Sequence, residues 1–112
     1  MSCIFCGIVD GSIPSDKVYE DESVVIFKDV SPQAPVHLLA IPKKHICSSN
    51  DVSEENSFMI SHIFEVIPDV VKRFGIEDGY RIVTNCGEQA GQTVMHMHFH
   101  ILGGREMKWP PG

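Results

Sequence analysis

What the chain lacks narrows it first. It has no run of lysines or arginines and carries a net charge of −6, which disfavours broad electrostatic binding to a nucleic-acid polymer. A pocket for a phosphorylated small molecule stays open, because local donors override net charge at short range. No apolar stretch approaches the roughly 20 residues that span a bilayer. Met1-Ser2-Cys3 does not open like a secretory signal. Both absences predict a cytoplasmic protein with no membrane partner. Only four cysteines occur, and in a reducing compartment they are expected as thiols or metal ligands rather than disulfides. Linkers, internal repeats and low-complexity segments are missing too. The 112 residues, 43% hydrophobic and 21% charged, therefore suit one domain, 1–112, with one modest core.

Five segments read as strands: 18–20, 24–28, 36–41, 80–85 and 95–102. Pro32 and Pro35 make 31–35 a turn. One clear helix is expected over 54–74, with Asp51 and Ser53 as N-cap candidates and Gly75 just past its end. Phe58, Ile60, Ile63, Phe64, Ile67, Val71 and Phe74 recur at helical spacing and predict its buried stripe. Pro68 interrupts that helix and should kink it. A meander-like antiparallel sheet with a helix on one face is an α+β architecture.

The most informative stretch is His96-Met97-His98-Phe99-His100. Side chains alternate along a strand. His96, His98 and His100 would share one face, and Met95, Met97, Phe99 and Ile101 the other. The histidine face carries no Ser, Thr or Lys, so it does not look like an ordinary polar face. Imidazole is a nucleophile, a base and a metal ligand near neutral pH. Alternation puts His96 and His100 about 13 Å apart at Cα, too far for one metal to collect all three. A division of labour is expected, with one histidine free to leave for a metal.

Cys3-Ile4-Phe5-Cys6 is a Cys-x-x-Cys that suits a redox pair, a zinc knuckle or chance. The βαβ context of the redox form is missing. A tetrahedral zinc would need two more ligands, and His45 and His96 are the candidates; unliganded thiols are the alternative. Cys47 and Cys86 read as plain thiols, buried or partly exposed. In the loop 85–93, Gly91 permits close backbone approach, and Gln92 and Thr93 carry donors, so the loop reads as a phosphate cradle ahead of the histidines. Asp29 either accepts from ribose hydroxyls or starts a turn. His37 either orients the triad or is a satisfied, partly buried histidine. His62 lies on the helix's polar side with no assigned role, and Lys43-Lys44 is a solvated pair.

Together these residues resemble the histidine triad (HIT) family, nearly end to end. The shared motifs are His-x-His-x-His at 96–100, Gly91-Gln92-Thr93-Val94, Phe27-Lys28-Asp29-Val30-Ser31-Pro32-Gln33-Ala34-Pro35, Ile41-Pro42-Lys43-Lys44-His45 and Trp109-Pro110-Pro111-Gly112. The match is closest to the nucleotide-binding purine-nucleoside phosphoramidase branch, in its zinc-bearing bacterial type. The resemblance implies a five-stranded antiparallel sheet with one main helix and a short N-terminal helix, the sheets joined across a homodimer. It implies His98 as nucleophile on the α-phosphorus, with His100 assisting and His37 in the relay behind. Asn85, Gly91, Gln92, Thr93 and Val94 would hold phosphate and leaving group. Asp29 would take the ribose, and Ile4, Phe5, Ile8, Phe27 and Val30 the base. Structural zinc would fall to Cys3, Cys6, His45 and His96, which sets His96's catalytic part against a metal-binding one. Dinucleoside polyphosphate hydrolysis on the same fold, or non-catalytic nucleotide binding, are the rival functions.

Overall fold

The computed structural model describes residues 3–112. In chain order the elements are α1 (Ile4–Asp10), β1 (Lys17–Glu20), β2 (Val24–Lys28), β3 (Val36–Pro42), α2 (Ser57–Arg73), β4 (Tyr80–Val83) and β5 (Phe99–Gly103). The strands form one five-stranded antiparallel sheet in the order β1-β2-β3-β5-β4. The expected α+β class, main helix and short N-terminal helix are all present. The sheet is not a simple meander, however: β5 inserts between β3 and β4.

Both faces of the sheet are covered, and this explains the unbroken apolar runs of β2 and β3. Val24, Ile26, Leu38, Ala40, Phe99 and Ile101 face α2 in the main core. The alternate residues Val25, Phe27, Leu39 and Ile41 pack under Phe5 and Ile8 of α1. His37 shares the α1 face by the same alternation. So does His100, whose Cα partner is Leu39.

Helix α2 is shorter than the expected 54–74. Residues 53–56 form a turn instead, in which Ser53 N donates to Asn56 Oδ1 and Glu55 N to Ser53 Oγ. Asn56 takes the N-cap position in place of Asp51 or Ser53. Pro68 lies within the helix, which continues through it. The buried residues are Met59, Ile63, Val66, Ile67, Val70 and Val71. Phe58 and Phe64, expected in the stripe, are exposed at 61% and 47%. At the other end Gly75 adopts φ +73°. Gly75 N donates to Lys72 O and Ile76 N to Val71 O, the Schellman closure.

His62 does find a partner. Its Nε2 lies 2.6 Å from Asp21 Oδ2 in the β1–β2 turn, where Tyr19 Oη and the Ser23 and Val24 amides also donate. Burial disfavours the Asp21 charge, but these hydrogen bonds outweigh it and hold the carboxyl well below its usual range. Asp21, in turn, raises His62. The Asp21 contribution is present above its ordinary value of about 4 and is lost as pH falls through the lowered one. That of His62 is full below about 6.5 and is lost as pH rises through the raised one. His62→Ala should therefore cost up to about 1 kcal/mol near pH 5.5 and less near pH 9. Urea denaturation at the two pH values checks this; an equal cost at both would show that no charge is involved.

Candidate functional site

Between α1 and the sheet lies a cleft of about 440 Å³. Its apolar part is Ile4, Phe5 and Ile8 from α1, then Ile13 and Pro14, with Phe27, Val30 and Leu39. Its polar part is Ser15, Lys28, Asp29, Thr93, His98 and His100, beside Val94. All five residues expected around a base therefore line one cavity with Asp29, Thr93, Val94, His98 and His100.

The three histidines turn to one side of the chain as expected, His96 and His98 against Phe5 of α1 and His98 and His100 into the cleft, but they do not share one strand. β5 begins only at Phe99, and His96 and His98 sit in the irregular segment before it. Met97 N there donates to Ile46 O at 2.6 Å, outside any sheet ladder. Met97, Phe99 and Ile101 are buried in the main core as expected, but Met95, expected with them, is 43% exposed.

Hydrogen-bond partners fix each ring. A carbonyl only accepts, so His98 Nδ1 donates to His96 O at 2.8 Å. In the neutral ring that leaves the Nε2 lone pair unused. Gln33 N donates to His37 Nδ1 at 3.0 Å, so neutral His37 carries its proton on Nε2. That atom lies 2.9 Å from His100 Nδ1 and 3.4 Å from Asp29 Oδ2. His100 thus accepts at Nδ1 and holds its own proton on Nε2. Burial pushes both rings below the ordinary imidazole value, against the pull of Asp29. Asp29, His37 and His100 bring three ligand-type atoms within 4.8 Å of one another. The Gln33 amide nevertheless leaves His37 no lone pair for a cation, so they form a hydrogen-bonded chain.

A second group lies on the other side of α1. Ligand atoms of Cys3, Cys6, His45 and His96 come within 4.8 Å of one another, an arrangement that can hold a metal ion. His96, wholly buried, donates from Nε2 to Pro42 O at 2.8 Å and turns Nδ1 toward Cys3 and Cys6 Sγ, each 3.5 Å away. His45 places Nε2 3.4 Å from Cys47 Sγ and Nδ1 3.3 Å from Cys6 Sγ. Ordinary zinc–sulfur and zinc–nitrogen bonds at tetrahedral angles put sulfur and nitrogen about 3.6 Å apart, close to these spacings. Anchoring the far nitrogen of each ring is how metal-binding histidines are oriented. Cys47, expected as a plain thiol, supplies one of those anchors. Burial and the neighbouring Cys3 push the Cys6 thiol up, a cost that a cation between the sulfurs would reverse. Cys3 also caps α1, accepting from Cys6 N.

The loop before the histidines is built differently from the expected cradle. Gln92 is 1% exposed. Its amide donates to Cys47 O and Val94 O, and its oxygen accepts from Gly87 N. The side chain braces the loop and has no donor left for a ligand. Gly91 adopts φ +96°, which explains its glycine. Neither Gly91 nor Asn85 lines the cleft; Thr93 and Val94 do. Trp109 is 82% exposed and lies over Arg81, whose guanidinium also holds Lys108 O.

In class this is an α+β sheet protein with a histidine-lined cleft beside a Cys₂His₂ group. The profile of the family described as "Scavenger mRNA decapping enzyme C-term binding" matches residues 2–109. A HIT-like protein of Synechococcus elongatus is 44% identical over 109 residues, 97% of this chain and 96% of that protein. A HIT-like protein of Chlamydia trachomatis is 46% identical over 104 residues, 93% of this chain and 94% of its own length. The solved HIT family hydrolase from Legionella pneumophila superposes with a TM-score of 0.96 at 46% identity, covering 99% of this chain and 100% of that one. A histidine triad protein from Clostridium difficile gives 0.92 at 46%, covering 96% and 95%. The chain belongs to the histidine triad (HIT) family.

Proposed function

We propose that the protein hydrolyses purine nucleoside 5′-phosphoramidates through a nucleotidyl-histidine intermediate. One observation carries this reading: the His96 carbonyl holds His98 Nδ1–H and leaves Nε2 free in a cleft that also presents His100 and Asp29. His98 Nε2 attacks the α-phosphorus, a new N–P bond forms, and the substrate's P–N bond breaks as the amine takes up a proton. Water then cleaves the phospho-histidine, giving nucleoside monophosphate and free His98. His100 Nε2–H, held in place by His37, donates to a phosphoryl oxygen and stabilises its growing charge. The Thr93 hydroxyl and Val94 backbone add donors, Asp29 accepts from the ribose, and the apolar wall stacks the base. Zinc at Cys3, Cys6, His45 and His96 supplies structure, and His96 is committed to it rather than to the relay. The thiols suit a reducing cytoplasm.

A steady-state comparison of adenosine and guanosine 5′-phosphoramidates with diadenosine polyphosphates tests this. Preferred turnover of the polyphosphates would make the protein a dinucleoside polyphosphate hydrolase. Tight nucleotide binding without turnover would make it a binding protein.

The working unit of this proposal is a homodimer. Of the two sheet edges, β1 carries a register shift between Lys17 and Tyr19, a device that discourages pairing; β4 lacks one, which favours it as the joining edge. Trp109, held away from its own cleft, then serves the partner subunit's site on the leaving-group side. Trp109→Ala should shift preference among amine leaving groups several-fold and leave affinity for the bare nucleotide unchanged. Sedimentation of a monomer at micromolar concentration would refute the dimer, and an unchanged leaving-group profile would refute the role of the tail.

A further inference from the structure

Ser15 Oγ is the one buried side-chain oxygen or nitrogen among the described residues without a hydrogen-bond partner. Leaving a buried hydroxyl unpaired costs stability, and native proteins keep few of them. This one stands in the wall of the cleft. Its place there is the apolar end. Ser15 follows Ile13 and Pro14 in the lining, and the next residue, Asp16, accepts from Lys28 N, which brings the segment alongside Phe27. Three of the other polar groups are engaged with neighbours: Asp29 and His100 join the chain through His37, and Lys28 Nζ turns toward Asp16 and Phe74.

We infer that the Ser15 hydroxyl is the hydrogen-bonding partner of the nucleobase edge and the polar determinant of base recognition in an otherwise apolar pocket. The inference rests on the nucleotide reading of the cleft. A serine oxygen that is covered in the free protein reaches the cleft by turning about a single χ angle, between staggered wells of similar energy. A hydroxyl both donates and accepts. It therefore pairs with a ring nitrogen of adenine or an amino group of guanine without excluding either, so the site takes purines as a class.

The substitution Ser15→Ala separates this role from a structural one, because the two have opposite signs. Calorimetric titration with adenosine and guanosine 5′-monophosphate should show both dissociation constants rising about five- to ten-fold, the worth of one neutral hydrogen bond. The free variant should melt about 2 °C higher, since an unpaired buried hydroxyl has been removed. Unchanged affinity for both nucleotides overturns the assignment. So does a fall of several degrees in melting temperature, which would mean the hydroxyl already supports the fold. If the unaltered protein binds neither nucleotide, the reading of the cleft itself fails, which is a different result from loss of the Ser15 effect alone.

Discussion

His98→Ala should lower phosphoramidate turnover by at least about 10³-fold while changing nucleotide affinity only a few-fold. The asymmetry follows from how the cleft divides its work. Binding is spread over Ile4, Phe5, Ile8, Phe27 and Asp29, whereas covalent chemistry needs one nitrogen lone pair, that of His98 Nε2. Wild-type protein quenched during turnover should carry a nucleotidyl adduct on the peptide containing His98, visible by mass spectrometry. Near wild-type rates in the variant, or an adduct on His100, would remove His98 as nucleophile. Burial lowers His37 and His100 below the ordinary imidazole value, so these two rings stay neutral at pH 7. Protonation of His37 and His100 should therefore not limit activity until pH falls to these lowered values.

The second large effect belongs to the metal group. The protein should purify with about one zinc per chain, and Cys6→Ser or exhaustive chelation should remove it and lower the melting temperature by about 10 °C or more. The loss should extend to the ligand. Helix α1 carries Cys3 at its cap, Cys6 in its first turn, and Ile4, Phe5 and Ile8 in the cleft wall. The Phe5 ring stands edge-on to both His96 and His98, at 6.0 and 5.1 Å between centroids. Releasing α1 from the metal should therefore weaken nucleoside monophosphate binding roughly ten-fold. Metal analysis of protein never exposed to chelator decides the first point, and titration of loaded and stripped protein decides the second. Absence of zinc in the former would overturn the site.

Much of this was legible in the residues. The β-branched run Val24-Val25-Ile26-Phe27 and the Gly75 stop are local signals, and structure kept them. The misreadings came where tertiary contacts overrule local pattern. Alternation from Met95 onward looks continuous, but the Gln92 bonds to Cys47 O and Val94 O and the Met97–Ile46 bond hold an irregular segment ahead of β5, and Met95 falls outside the pattern that Met97, Phe99 and Ile101 keep. The helical stripe was displaced for the same reason: which arc of α2 is buried depends on the sheet beneath it, and that arc passes through Met59, Val66 and Val70 rather than Phe58 and Phe64. A glutamine in a glycine-bearing loop looks like a free donor, and only the fold reveals that its amide is fully used. Cys47 could have been suspected from its position two residues after His45. Ser15 had no signal at all, since an unpaired oxygen is a property of the packed cleft.

The two covered faces of the sheet make the outcome of a comprehensive substitution scan foreseeable. Along β3, Leu38 and Ala40 belong to the α2 core, while His37, Leu39 and Ile41 face α1. Tolerance should alternate residue by residue, damage to folding at one position and damage to ligand handling at the next, with β5 following the same beat from Phe99 to His100 to Ile101. One residue inserted into β3 would exchange the two sets at a stroke. For that strand an indel should be far more damaging than any substitution, and lineages related to this chain should place their length differences in the turns.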